Sequence, residues 1–354
     1  MSPVHGRMRP QGLATRQPKR DLRTVGRHNG IRKHEMDSMT EQTRRDGAIL
    51  FAGTAVNVLV SAEAMAGAFS MLLVANPPGC WTPPHVHRNE DETVLVLAGT
   101  LRVETEERAM NVGPGQAVVL PRGRPHRLGN TGAQETRFLV LCTPGGFDDF
   151  VRAAGRPMPK GGPTMDEADI ARLVQAAPRH GIELLAPAAP RPVPAREAAA
   201  AADEVDVLGI RIQVLAECGP GDDDPCLMRV QVPPGGMVPM HCHADREVIY
   251  GLGGVLEAWI GPVGKAAWQA VGAGQVADIP AGVPHALRNQ GDVPADVLLI
   301  ATRRIAGLFR EVGCPVGDAP HGPPSPDRIQ ALAAASYARG YWLAGEAENA
   351  AIGL

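Results

Sequence analysis

The chain has 354 residues, 44% of them hydrophobic and 21% charged, with a formal charge of −3; this length points to two domains, and this charge argues against nucleic acid or an anionic membrane as a partner. Gly (41) and Pro (33) are abundant and aromatics make up only 4%, which favours turn-rich β structure with a core of Val, Leu, Ile and Ala over a helical bundle. No apolar run approaches the ~18 residues of a membrane span, and the six cysteines form no C-x-x-C pair, so free thiols in a reducing cytoplasm are expected.

In chain order, residues 1–45 come first. The stretch "MRPQGLATRQPKRDLRTVGRHNGIRKHE" is basic, polar and aperiodic. It has no apolar run behind its positive charges, so it is not a signal peptide, and a disordered basic leader is expected. Residues 46–185 then alternate short β-like runs with Gly/Pro turns: "VNVLVS", "FSMLLVA", "TVLVLAG", "LRVET", "QAVVLP" and "TRFLVLC". Two helical stretches, "GFDDFVRAAG" and "MDEADIARLVQAAPRHG", end this domain. Residues 186–204 contain "LAPAAPRPVPAREAAAA" and read as a Pro/Ala-rich linker. From 205 to 354 the same order returns, with "GIRIQVLA", "CLMRVQV", "EVIYGLGG", "LEAWIG", "QVADIP" and "DVLLIAT" before the helical "RIAGLFREVG" and "PDRIQALAAASYARG". The chain repeats itself, and each copy is an all-β sandwich or closed barrel followed by short helices.

The repeat carries a pattern of possible metal donors. The first copy has Gly79, His85, His87, Glu92 and Gly99, then Gly115, Pro121, Gly123, His126 and Asn130. The second has Gly235, His241, His243, Glu247 and Gly254, then Gly274, Pro280, Gly282, His285 and Asn289. Strand alternation puts His85 and His87 on one face and Val86 on the other; likewise Cys242 faces away from His241 and His243 and is a poor ligand. Imidazole and carboxylate together suit Fe, Ni, Co, Mn, Cu or Zn. Asp91 rivals Glu92 as a ligand, but Glu92 stands from Gly99 as Glu247 stands from Gly254. Asn130 and Asn289 read as turn formers and Arg122 as solvated. Trp81, four residues before His85, shares the inward face if the strand is regular. It would then flank a substrate or simply pack in the core. Val94, Val96, Leu101, Val103, Phe138 and Val140 line the interior by the same alternation, with Phe138 a second candidate for substrate contact.

These blocks resemble those of the cupin superfamily, and their duplication resembles a bicupin. The resemblance spans roughly residues 48–310. It implies two jelly-roll β-barrels in tandem, each holding a divalent transition metal, up to two per chain. The implied ligands are His85, His87, Glu92 and His126 in the first barrel and His241, His243, Glu247 and His285 in the second. The stretch "HVHRNEDETVLVLAG" is similar to cupins of the flavonol (quercetin) dioxygenase type. That similarity implies a metal-dependent dioxygenase acting on a small phenolic or enolisable molecule, with Glu92 and Glu247 able to act as bases. A non-redox cyclase or isomerase and a non-catalytic, ligand-binding bicupin remain as alternatives, because this fold carries many chemistries. The expected partners are a small-molecule substrate and, for an oxygenase, dioxygen. A fused pair of barrels would be a monomer or a homodimer.

Overall fold

Period-two alternation sets the architecture. In the strands Ser70–Asn76, Asp91–Ala98 and Thr136–Thr143, one set of side chains is Leu72, Val74, Val94, Val96, Phe138 and Val140. This set packs inward with Leu101 and Val103 as one core. The intervening set, Met71, Leu73, Leu95, Leu139 and Leu141, emerges on the opposite face of the same sheet. A strand apolar on both faces needs cover on both, and the second half of the chain supplies it.

The structure, a computed structural model, describes residues 47–186, 195–197, 203–317 and 324–354. The leader to residue 45 and most of the linker lie outside these residues. The first barrel closes a seven-stranded sheet over a six-stranded one. The larger runs Arg156–Pro157, Ile49–Phe51, Thr54–Val60, Ser70–Asn76, Thr136–Thr143, Asp91–Ala98, Ala117–Leu120. The smaller runs Ile182–Leu184, His85–His87, His126–Gly129, Leu101–Thr105, Ala109–Val112, Ala195–Glu197. The last of these strands comes from the expected linker and joins Ala109–Val112 in parallel, so that segment is not wholly an unstructured tether.

The second barrel repeats the plan with sheets of seven and five strands. Glu247–Gly253, Ala295–Thr302 and Pro225–Val232 lie in the larger, and His285–Arg288 and Met237–Cys242 in the smaller. Its inner core includes Met228, Val230, Ile249, Leu256, Val297 and Leu299. Its outward set, Leu227, Val248, Tyr250, Leu298 and Ile300, meets the outward set of the first barrel in one shared cluster. The two large sheets therefore pack face to face. Helices Phe147–Ala154 and Glu167–Ala176 follow the first barrel, and Arg303–Val312 and Pro326–Ala338 follow the second. Among the described residues no helix is long and apolar enough to cross a membrane, and all six cysteines are free thiols.

Candidate metal centres

Both donor groups are assembled across the two sheets of a barrel. His85 and His126 stand opposite each other on neighbouring strands of the small sheet. Glu92 comes from the large sheet, opposite Leu120 and Cys142. A turn fixes each third histidine. Gly123 and Gly282, each at φ +75°, adopt a conformation that costs glycine little. Their N–H groups donate to the carbonyls of His87 and His243 at 2.7 and 2.8 Å. The turn before each third histidine is thus tied to the strand that carries the doublet.

In the first group, one donor atom each from His85, His87, Glu92 and His126 lies within 4.8 Å of all the others, and the four residues are buried. His126 Nε2 is 2.8 Å from Glu92 Oε2 and His87 Nε2 is 3.7 Å from it. In the second group His241, His243 and His285 meet the same distance criterion. Glu247 adjoins them, 3.3 Å from His243 Nε2 and 3.7 Å from His285 Nε2. Asp91 is turned away. It takes the backbone N–H and the guanidinium of Arg122, at 2.8 Å each. Arg122 is therefore ion-paired rather than merely solvated. Cys242 faces Trp342 on the neighbouring strand, away from the donors.

Within each group the histidines shift in both directions: His85 and His241 go down, His126 and His243 go up. Burial, then the neighbouring His126 and His87, lowers His85 to about 3. Burial and His285 bring His241 to about 3 as well. Burial alone would raise Glu92. The His126 hydrogen bond and the charges of the three histidines outweigh it and hold the carboxyl at about 2. Glu247 is lowered in the same way, through His243 and its neighbours. His126 is pushed up against its burial by the Glu92 hydrogen bond and charge. The Nε2 atoms of His87, His243 and His285 are buried with no hydrogen-bond partner. A buried orphan nitrogen is unfavourable unless something occupies its lone pair. Nitrogen donors converging on a carboxylate fit a divalent transition ion, up to two per chain.

Ring orientation is set locally. The Nδ1 atoms of His85, His126, His241 and His285 each donate to the carbonyl two residues back: Pro83, Arg124, Pro239 and Val283, at 2.8–3.1 Å. His243 Nδ1 donates to the Asp245 carbonyl at 2.9 Å. His87 differs, because its Nδ1 faces the buried Glu90 carboxylate at 3.5 Å. Phe147 packs on the His87 ring and Tyr341 on His243, with centroids 5.0 and 4.9 Å apart. Asp245, the second-barrel neighbour, is occupied by Thr302, Arg304 and Tyr341.

Beside the first group lies a cavity of about 60 Å³ whose wall includes His85 and Glu92. Phe51, Phe138, Phe147 and Phe150 line it, four of the six phenylalanines in the chain. Phe138 is thus placed at the cavity. Trp81 is not, contrary to strict alternation. Pro83 and Pro84 intervene and the strand begins only at His85. The Trp81 indole lies against Gly129, so close that a Cβ there would sit 2.2 Å from the ring. Arg127 covers it at 4.6 Å. Thr82 and Pro83 line the cavity instead. Sequence reasoning missed Glu90, Asp245, Phe147 and Tyr341. A carboxylate two or three residues after each doublet was the available signal for the first two.

Fold and donor geometry define a duplicated β-barrel protein with a metal-binding group in each barrel. Residues 72–142 and 228–301 each match the Cupin domain family, so the chain carries two cupin domains in tandem. Over 109 residues it is 33% identical to germin-like protein subfamily 2 member 1 of Arabidopsis thaliana, which covers 30% of this chain and 48% of that one. The chain thus spans about half the length of this curated relative. Oxalate decarboxylase from Bacillus subtilis is 17% identical with a TM-score of 0.48, over 72% of this chain and 73% of that one. The formate complex of the Lactobacillus farciminis oxalate decarboxylase is 17% identical with a TM-score of 0.48, over 73% and 83%.

Proposed function

We propose that this bicupin is a metal-dependent oxygenase acting on a small enolisable substrate at the first centre. One observation carries the reading: the first donor group opens on an apolar, phenylalanine-walled cavity that shares His85 and Glu92 with it. A divalent transition ion held there supplies Lewis acidity and, when redox-active, access to dioxygen chemistry. Glu92 is the one carboxylate among the lining residues, which supports it as the group that takes the proton released as a substrate enolises. The four phenylalanines keep water from the reacting carbon. Size decides between the substrate classes. Pockets for drug-sized molecules run to roughly 300–1,000 Å³, whereas this one is about 60 Å³. A compound of a few heavy atoms fits better than a three-ring flavonol.

The test is oxygen uptake by protein loaded with Mn, Fe, Co or Ni in turn. It is offered small β-dicarbonyl compounds and, separately, flavonols. Uptake is expected with the small compounds. The His85→Ala/His87→Ala double variant loses it and His241→Ala/His243→Ala keeps it. Turnover without oxygen consumption would instead mark a non-redox isomerase or cyclase.

A further inference from the structure

The wall of the first cavity holds a polar side chain that neither the fold nor the metal group uses. Asn76 ends the strand Ser70–Asn76 and follows Leu72 and Val74 on its inward face. It is 1% exposed and lines the cavity with His85 and Glu92. Its Oδ1 and Nδ2 atoms are both buried without a hydrogen-bond partner. Buried carboxamides are nearly always satisfied, so one left open on both sides calls for an explanation.

The second barrel shows that the fold does not need it. Asn130 Nδ2 donates to the Asn76 carbonyl at 2.9 Å, and Asn289 Nδ2 donates to the Val232 carbonyl at 2.9 Å. Val232 therefore occupies the corresponding place, 1% exposed in the core of its barrel. The same backbone position is filled by an apolar residue in one copy and by an unsatisfied amide in the copy that carries the phenylalanine-walled cavity.

We infer that Asn76 is a substrate-binding residue that selects a small molecule with two polar ends. One end is the enolisable oxygen that meets the metal group. The other presents a donor and an acceptor to the Asn76 carboxamide, as a primary amide does, while the apolar middle lies against the phenylalanines. A site built to hydrogen-bond such a group discriminates strongly against an isostere that lacks it, because the amide then stays unpaired. The inference rests on the first centre being the substrate site and names what that site recognises.

The experiment uses zinc-loaded protein, so that binding is read without oxygen chemistry, and two probes of equal heavy-atom count: acetoacetamide and pentane-2,4-dione. Calorimetry on the parent is expected to show acetoacetamide bound about 10–100-fold more tightly. In Asn76→Val, which copies the second barrel, that preference should fall to within about twofold. The melting temperature of Asn76→Val without probe should equal or exceed the parent's, since an orphan amide has gone. A parent without preference, or a variant that keeps it, overturns the inference. A clear fall in melting temperature also overturns it, because it would mean that the amide has a structural partner. If pentane-2,4-dione binds the parent and is lost in His85→Ala/His87→Ala, the substrate site stands even where the Asn76 preference fails. If neither probe binds, both readings fall.

Discussion

Two adjacent carboxylates, Asp91 and Glu92, have separate tasks. Asp91 anchors the turn through Arg122 and Glu92 faces the histidines. Asp91→Ala should therefore retain two ions per chain by elemental analysis, while Glu92→Ala loses the ion of the first barrel. Glu90 offers a finer test. It is the carboxylate facing His87 Nδ1, and such a partner orients a ligating imidazole and makes it a stronger donor. Glu90→Gln should weaken first-site metal affinity about 10–100-fold in chelator competition, with the second site unchanged. At this scale the sequence was partly legible. The histidine doublets announced the donors because alternation keeps i and i+2 on one face. Trp81 misled because two prolines break that regularity, and Asn76 was silent because an asparagine at a strand end reads as a turn former.

Helices were legible wherever end signals flanked an apolar pattern. Glu167–Ala176 begins at a capping box in which the Asp166 and Asp169 side chains each accept the other's backbone N–H. Asp169 also takes Arg156, and this bond first, then the Asp166 N–H, brings its carboxyl from 3.8 down to about 2. A folded value below the unfolded one stabilises fully above about pH 4, and the gain is lost as pH falls through about 2. Asp169→Asn should lower the melting temperature at pH 7, with the gap to the parent closing between about pH 4 and pH 2. Elements held by tertiary pairing alone were not legible. Arg156–Pro157, Cys314–Pro315 and Ala195–Glu197 are two or three residues long and exist because a neighbouring strand edge accepts them.

For the whole molecule, the shared cluster between the large sheets makes each barrel's outer face part of a common interior. Leu95, 2% exposed on that face, should lower stability by about 2–5 kcal/mol when changed to Ala, as read from the denaturant midpoint. The architecture was legible because two complete sets of turns and donors recur along the chain. The packing of one barrel on the other was written less plainly. It lies in the second apolar set of each large-sheet strand, which period-two reading of a single face passes over.

The spacing between the two copies is uneven, and the unevenness has an address. Glu92 and Glu247 are 155 residues apart, whereas His126 and His285 are 159 apart. Much of the added chain sits in one hairpin. Three residues join Leu101–Thr105 to Ala109–Val112, and seven join Val255–Ile260 to Trp268–Gly272. Glu106, Glu107 and Arg108 are exposed at the shorter tip. The molecule has thus already carried out an insertion experiment on itself. That tip is where a reporter peptide or an extra loop should be tolerated, with both ions retained in elemental analysis.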